Sequence, residues 1–177
     1  MKSDNAALTG VLNKTRTESG RTLLELVDER PALLVFLRHF GCAFCRQALE
    51  DVGNVRPEIE AHGEKPVFVH LGSPERAKPY FDYYHLSDVE RVSNPDGSLY
   101  REPAFELARV NVFQLFRPAV WVGWARGALR RHGLGWVKED GFQMPGVFLL
   151  RDRAIARAYR HRTIADRPNY LALARIP

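Results

Sequence analysis

The segment Pro31-Ala-Leu-Leu-Val-Phe-Leu37, followed by Cys42-Ala-Phe-Cys45, decides the fold of this chain. The apolar run predicts a buried strand, and helical periodicity begins at the cysteines. Two cysteines in Cys-x-x-Cys spacing at a helix start lie one turn apart and can close a disulfide. The free N–H groups and dipole of a helix N-terminus favour a thiolate, the species that attacks disulfides and peroxides. This segment therefore predicts redox chemistry on one pair of thiols.

The cysteine pair has no other thiol partner, because these are the two cysteines of the whole chain. The first ten residues contain no apolar segment typical of a secretory signal, so we expect a cytoplasmic protein. In a reducing cytoplasm a cysteine pair is more often catalytic or metal-binding than a structural disulfide. Two alternatives are a pair of inert buried thiols and a zinc site that recruits His39 but needs a fourth ligand.

The chain has a net charge of +5, and its charged residues are unevenly distributed along the sequence. Residues 1–100 carry 12 basic and 15 acidic side chains, whereas residues 101–177 carry 14 basic and 6 acidic ones. The densest basic cluster consists of Arg151, Arg153, Arg157, Arg160 and Arg162. Such a cluster can bind nucleic acid, but no nucleic-acid-binding motif accompanies it. We therefore predict a solvated basic face, with some arginines paired to acids of the other half, and no nucleic-acid partner.

The length of 177 residues predicts a single domain over residues 1–177. Residues 1–10 are predicted to be disordered, and residues 9–26 to form a short hairpin or an extended arm that turns at Gly20 and Arg21. Later strands are predicted at 32–37, 66–71, 89–92, 146–150 and 154–159. One helix is predicted from Cys42 to about His62, with a kink or break at Pro57. Further helices are predicted over 74–84, 102–109 and 167–174, with Ser73 and Asp166 as N-caps. This order predicts an α/β fold with a mixed sheet.

Residues 110–137 form a predicted insertion with many large apolar side chains. Charged residues and Pro118 interrupt the apolar run, so it does not predict a membrane span. Its aromatic residues, Trp121 and Trp124 among them, cannot all point one way on one helix. They either pack on the core of the monomer or form an apolar patch. We predict the patch, and with it a homodimer that weakens when both tryptophans become alanine.

The stretch Leu33-Leu-Val-Phe-Leu-Arg-His-Phe-Gly-Cys-Ala-Phe-Cys-Arg46 resembles the peroxiredoxin-like proteins of the alkyl hydroperoxide reductase/thiol-specific antioxidant superfamily. Within that superfamily it looks most like the selenoprotein L-like and peroxiredoxin-like 2 groups. Similar likenesses are found in Val55-Arg-Pro-Glu-Ile59, Leu115-Phe-Arg-Pro118 and Gln143-Met-Pro-Gly-Val-Phe148. The resemblance covers roughly residues 9–175 and implies a thioredoxin-like fold, with a mixed sheet flanked by helices.

The resemblance also implies a cis-proline at Pro145, beside the redox cysteines. In the thioredoxin superfamily this proline precedes the penultimate strand and leaves backbone groups free for a substrate chain. Cys42 and Pro145 are 103 positions apart, which is longer than a minimal thioredoxin needs and closer to the spacing of peroxiredoxins. A trans proline at a strand start is the ordinary alternative.

The roles of the two cysteines depend on which pattern they follow. In thioredoxin-like enzymes the first cysteine attacks and the second resolves, which assigns attack to Cys42. Peroxiredoxins carry Pro-x-x-x-Thr/Ser-x-x-Cys, which would place Cys45 in the attacking position, but neither register keeps the hydroxyl or the proline. Loss of that hydroxyl weakens the case for efficient peroxidase activity. We favour Cys42, since the first helical residue feels the dipole most.

Three neighbouring side chains are candidate supporting groups. Arg38 and Arg46 can lower the pKa of a thiol, and His39 can move a proton; each can equally be an ordinary surface or packed residue. The other histidines show no spacing that suggests a site: His62, His70, His85, His132 and His161.

The leading functional hypothesis is a thiol–disulfide oxidoreductase or peroxiredoxin-like peroxidase that cycles a Cys42–Cys45 disulfide. This function needs no bound cofactor. It does need two partners: a reductant of the thioredoxin or glutathione type, and a small oxidised substrate or a protein disulfide. One alternative is a redox sensor whose disulfide switches a partner surface. Another is a binding protein with a non-redox cysteine pair.

Overall fold

The computed structural model of the protein describes residues 2–109, 122, 140–163 and 165–175. The helices are α1 (Lys2–Lys14), α2 (Leu23–Glu29), α3 (Ala43–Ala61), α4 (Pro74–Tyr83) and α5 (Tyr170–Ala174). The strands are β1 (Ala32–Phe36), β2 (Lys65–His70), β3 (Arg91–Ser93), β4 (Gly146–Arg151) and β5 (Ala154–Arg160). A single 3₁₀ turn is described at Leu99–Arg101.

The described strands form one mixed sheet in the order β3-β2-β1-β4-β5. Strand β1 lies at its centre, parallel to β2 and antiparallel to β4. The β4–β5 hairpin is antiparallel, whereas β2 and β3, joined through α4, are parallel. The predicted mixed sheet is confirmed, because helical crossovers return the chain in the same direction and a tight turn reverses it.

Two apolar cores cover the two faces of the sheet, which explains why every residue of β1 is buried. Leu34 and Phe36 point into the core on the α1 and α2 side, where Phe36 contacts the rings of Tyr100, Phe105 and Phe148. Leu33 and Val35 point into the core shared with α3, α4 and α5. The alternation along β1 thus separates the two cores and places the cysteine-bearing helix α3 on the second one.

The N-terminal prediction is wrong in the structure. Residues 2–14 form α1 and are not disordered, because Leu8 and Leu12 lie one turn apart on a face that is buried against the sheet. The predicted hairpin is reduced to one antiparallel bridge between Arg16 and Thr22, around Gly20 at φ +90°. Thr22 is the N-cap of α2 and forms a capping box with Glu25, so the chain turns into a helix there.

Helix α3 ends at Ala61, close to its predicted end, and continues through Pro57 without a break, since its buried face holds both sides of the proline in one core. Two other boundaries differ from the predictions. Residues 102–109 form no helix, and the chain turns there with Glu106 at φ +47°. The last helix begins later than predicted, because the Asn169 side chain accepts the N–H of Ala172 and acts as N-cap. The Asp166 side chain instead accepts hydrogen bonds from Arg162 and Thr163 in the turn before α5.

Part of the basic half is paired with acids of the other half, as predicted. Arg153 binds Asp28 at 2.8 Å, and Arg167 binds Asp51 at 2.6 Å. Both pairs join segments more than 100 residues apart in sequence, so they help hold the C-terminal elements on the sheet.

The predicted insertion at 110–137 lies outside the described residues except for Val122, which is exposed. The homodimer expected from Trp121 and Trp124 therefore stays a prediction, as does the single-domain boundary.

Gly146 at the start of β4 leaves no room for a side chain. An added Cβ would lie 2.5 Å from Leu107 Cδ2 and 3.3 Å from the carbonyl oxygen of Tyr159. Leu107 is itself buried and cannot swing into solvent. We expect Gly146→Ala to lower the free energy of unfolding by about 1–3 kcal/mol, the usual penalty of overpacking, as measured by urea denaturation.

The matched control is Gly10→Ala in α1, where no atom lies within 4 Å of the added Cβ. That substitution should leave stability unchanged or raise it by about 0.5–1 kcal/mol, because alanine is the better helix former. Equal stability of the two variants would contradict the packing described at Gly146.

Candidate active site

The two cysteines lie where the central strand passes into α3. Cys42 is the N-cap of α3, and its carbonyl oxygen accepts the N–H groups of Cys45 at 3.1 Å and Arg46 at 3.2 Å. The Cys42 N–H donates to the carbonyl of His39 at 3.0 Å, which closes the turn between strand and helix. Both thiols are free, with Cys42 8% exposed and Cys45 4% exposed. The predicted strand–turn–helix placement is what the structure contains.

Cys42 is the more acidic of the two thiols. A hydrogen bond from the Cys45 thiol, the Arg38 charge and the N–H groups of Phe44 and Cys45 lower its pKa to about 6, although burial opposes them. Each of these groups stabilises negative charge on sulfur. Cys42 is therefore a thiolate at neutral pH.

Cys45 has the opposite character. Burial, and then the neighbouring Cys42 sulfur, raise its pKa well above the ordinary value. The backbone N–H of Arg38 donates to Cys45 Sγ at 3.3 Å and holds the sulfur below the surface. The pair thus combines a nucleophilic thiolate with a protonated partner one helical turn away, which is the division of roles that dithiol chemistry requires.

Arg38 is the supporting residue that reaches the sulfurs. Its side chain is buried, with Nη1 3.8 Å from Cys42 Sγ and Nη2 donating to the carbonyl of Gly141. This side chain joins the end of β1 to the segment that leads into β4. Its guanidinium places a positive charge beside the thiolate.

The other two predicted supporting residues flank the turn that carries Cys42. Arg46 Nη2 donates to the carbonyl of Gly41 at 3.4 Å, and its guanidinium lies 6.0 Å from the centre of the Tyr80 ring. Burial and the nearby arginines lower the pKa of His39 to about 4, so its imidazole is neutral. Both residues support the loop that carries Cys42.

Pro145 lies beside the cysteines, but the predicted cis bond is wrong. None of the peptide bonds in the described ranges is cis, so the Met144–Pro145 bond is trans. The Met144 N–H donates to the carbonyl of Ala108 at 3.0 Å, and Gly146 pairs with Phe36 in β4. Pairing on both sides keeps the chain extended, and a trans proline at the entry to a strand fits that path.

A small cavity behind Cys45 contains residues that the sequence did not single out. Its volume is about 20 Å³, and its polar lining includes Arg38, His161, Asp166 and Tyr170. His161 and Asp166 follow β5, and Tyr170 begins α5, so they reach Cys45 only through the pairing of β4 with β5 and the docking of α5. No local motif marks them. Sequence spacing therefore gave no indication that His161 lies near Cys45.

The part of the chain that the structure describes contains no group of three or more His, Cys, Asp or Glu side chains that could hold a metal ion. None of its helices is both long and apolar enough to cross a membrane.

Comparison with solved structures identifies the fold. Peroxidoxin BcpB from Mycobacterium tuberculosis is 13% identical, with a TM-score of 0.61 over 90% of this chain and 89% of that chain. Peroxiredoxin Q from Xanthomonas campestris is 17% identical, with a TM-score of 0.58 over 85% and 81%. The chain has the thioredoxin-like fold. A secreted disulfide oxidoreductase of Mycobacterium tuberculosis, 14% identical, gives a TM-score of 0.52 over 89% and 87%. At these identities the likeness is one of fold.

Sequence comparisons reach less far. No family model matches the chain. A prostamide/prostaglandin F synthase from Salmo salar is 36% identical over 53 residues, which are 29% of this chain and 26% of that protein. The match thus spans about a quarter of the length of the curated relative. Its description is consistent with the resemblance to the peroxiredoxin-like 2 group, and the neighbouring structures are peroxiredoxins and disulfide oxidoreductases.

Proposed function

We propose that the protein is a thiol-dependent oxidoreductase that cycles Cys42 and Cys45 between dithiol and disulfide. The observation that carries the proposal is the difference in acidity between the two sulfurs. Cys42 at the helix N-cap has a pKa lowered to about 6, and buried Cys45 has a pKa raised above its ordinary value. A thiolate nucleophile and a protonated resolving thiol one turn apart are the elements of this chemistry.

The electrons of the cycle pass only between the two sulfurs and the reactants. With a disulfide substrate, the Cys42 thiolate forms a bond to one substrate sulfur, and the other leaves as a thiolate that takes up a proton. Cys45 then loses its proton and attacks Cys42 Sγ, which releases the second substrate thiol and oxidises the protein to the disulfide. An external thiol reductant, of the thioredoxin or glutathione type, restores the dithiol.

Limited access to Cys42 favours a small substrate. Cys42 as a whole residue is 8% exposed, which leaves less room for a bulky protein disulfide than for a low-molecular-weight disulfide or a hydroperoxide. A hydroperoxide would convert Cys42 to a sulfenic acid with loss of an alcohol, and Cys45 would then displace water. The likeness to peroxiredoxin Q supports this second substrate class, whereas the missing threonine or serine hydroxyl argues for the disulfide class first.

The proposal also covers the cellular location of the protein and its self-association. A cytoplasmic location fits a protein whose nucleophile exists only in the dithiol form, which that compartment maintains. Self-association through residues 110–137 completes the proposal, with analytical ultracentrifugation at several concentrations as its test.

The experiment that tests the function is turnover by the purified protein. With dithiothreitol as reductant, we expect catalytic reduction of oxidised glutathione or cumene hydroperoxide, because the dithiol is regenerated after each cycle. In a graded glutathione buffer, the pair should show a reduction potential of about −270 to −120 mV. The double variant with both cysteines replaced by serine is the control.

Failure to find an intramolecular Cys42–Cys45 disulfide by mass spectrometry would contradict the proposal. A disulfide that forms without turnover, and that changes the binding of a partner, would identify a redox sensor instead.

A further inference from the structure

The cavity behind Cys45 is a candidate path for a proton. It is lined by Cys45, Arg38, Pro145, His161, Asp166 and Tyr170, among others. Its volume of about 20 Å³ is enough for one water molecule, which needs roughly 10–15 Å³ by the same measure. Polar side chains on several sides give such a water hydrogen-bond partners. The cavity therefore connects the resolving thiol with titratable groups that the proposed function has not yet used.

The backbone sets the orientation of His161. Its N–H donates to the Pro145 carbonyl at 3.4 Å, which extends the β4–β5 pairing by one residue. Arg160, the residue before it, reaches the carbonyl of Phe105 on the opposite face of the sheet. Because successive side chains alternate, His161 faces the α3 side, with its ring edge-on to Tyr159 at 5.3 Å. His161 Nδ1 is buried and has no hydrogen-bond partner among the described residues.

Resolution creates a need for a proton acceptor. Once Cys42 is joined to substrate, Cys45 must lose its proton before it can attack, and burial makes that loss unfavourable. Cys42, once bonded to substrate, can no longer accept the Cys45 proton. A group that faces the cavity must take the proton if the step is to be fast near neutral pH.

The other groups around the cavity are poor acceptors. Arg38 has no lone pair to offer. The two Asp166 carboxylate oxygens already accept the Arg162 N–H and the Thr163 hydroxyl, both at 2.6 Å, so both are engaged. Burial raises the pKa of the phenols that lie near the pair or the histidine, so they stay protonated: Tyr100, Tyr159 and Tyr170.

His161 is the group that remains. Burial lowers the pKa of its imidazole to about 4, so the ring is neutral and its open nitrogen can accept a proton. The Asp166 charge acts in the opposite direction and would stabilise an imidazolium, whereas the weaker effect of the Arg38 charge opposes it. A thiolate forming on Cys45 would add to that stabilisation. His161 is thus unprotonated before the reaction, and its protonated form becomes more stable as the thiolate forms on Cys45.

We propose that His161 accepts the proton of Cys45, through one water in this cavity, when Cys45 resolves the mixed disulfide on Cys42. The Cys45 S–H bond breaks, its sulfur bonds to Cys42 Sγ, and the substrate sulfur leaves as a thiolate. The proton passes to His161 and then to solvent, so that charge balances. This inference rests on the proposed function and identifies the acceptor that its second step requires.

The test uses the coloured disulfide 5,5′-dithiobis(2-nitrobenzoate) and rapid mixing with the reduced protein. The first thionitrobenzoate released reports attack by Cys42, and the second reports resolution by Cys45. We expect His161→Gln to slow the second release about 10- to 100-fold at neutral pH, within the contribution of a general base, while the first changes less than about twofold. The matched control is His62→Gln, at the exposed far end of α3.

A pH profile separates a proton acceptor from a structural role. In the unmodified protein, the second release should be nearly independent of pH from 6 to 8, because His161 is neutral throughout. In His161→Gln, hydroxide must replace the imidazole, so the rate should rise about tenfold per pH unit. Loss of packing alone would not create this slope.

Each outcome decides the proposal. An unchanged second release and profile in folded His161→Gln would overturn it. If that variant does not fold, Asp166→Asn takes its place: a second release slowed severalfold supports the acceptor role, and an unchanged one overturns it. If the unmodified protein releases only one thionitrobenzoate, the proposed function fails together with the inference, whereas two releases with no effect of His161 overturn the inference alone.

Discussion

Cys42→Ser will abolish dithiol-dependent turnover, and Cys45→Ser will leave a trapped adduct on Cys42. The expected difference follows from the acidity of the two thiols, since Cys42 alone has its pKa lowered to about 6. A serine hydroxyl at position 42 cannot ionise near neutral pH, so no mixed disulfide forms. With serine at position 45, attack still occurs but resolution does not.

Intact-mass spectrometry after mixing with oxidised glutathione measures this result. Cys45→Ser should carry one glutathione per chain, and Cys42→Ser should carry none, with turnover of both at the level of the double-serine control. With a hydroperoxide, the trapped species on Cys45→Ser should be a sulfenic acid, captured by dimedone. A sulfenic acid retained by Cys42→Ser and absent from Cys45→Ser would assign attack to Cys45, in the peroxiredoxin register.

Arg38→Met will raise the pKa of Cys42 from about 6 toward its ordinary value. The Arg38 guanidinium lies 3.8 Å from Cys42 Sγ in a buried site, where its charge is weakly screened. An opposite charge at this range shifts a pKa by about one to three units, so the thiolate fraction at pH 6 should fall about fivefold or more. The Cys45 hydrogen bond remains and limits the rise.

Iodoacetamide alkylation of Cys42 across pH 4–9, followed by mass spectrometry, measures this change. In the unmodified protein the rate should rise as pH increases through about 6 and then level off, because only the thiolate reacts. Arg38→Lys should keep most of the effect, since it keeps the charge but loses the fork that reaches Gly141. Arg153→Met, at the distant pair with Asp28, is the control. An unshifted profile in Arg38→Met would assign the low pKa to the Cys45 hydrogen bond alone.

Local patterns were enough to predict the central part of the fold. The apolar run 31–37, the cysteines after it and the spaced apolar residues of α3 are all close in sequence, so their strand–turn–helix order could be read directly. The short hairpin of β4 and β5 was predictable for the same reason. Arg38 was named because it immediately precedes the loop of Cys42, although its contact with Gly141 could not be foreseen.

Long-range packing decided what the sequence missed. His161, Asp166 and Tyr170 meet Cys45 only after β5 pairs with β4 and α5 docks on α3, and no spacing rule anticipates that. The N-terminal residues seemed too polar to order, yet Leu8 and Leu12 are enough to bury one face of α1. The cis bond at Pro145 was inferred from resemblance, and strand pairing on both sides keeps the bond trans.

The burial of Cys42 has a consequence for the survival of the protein under oxidative stress. A sulfenic acid is destroyed irreversibly only if a second oxidant molecule reaches the same sulfur. In this protein that molecule must enter where 8% of the residue is exposed, while Cys45 waits one helical turn away inside the protein. Attack of Cys45 on the sulfenic acid therefore competes well with further oxidation, because the two groups are held at a high effective concentration. In the proposed cycle, this geometry would let the second thiol form the disulfide before further oxidant converts the sulfenic acid to a sulfinic acid.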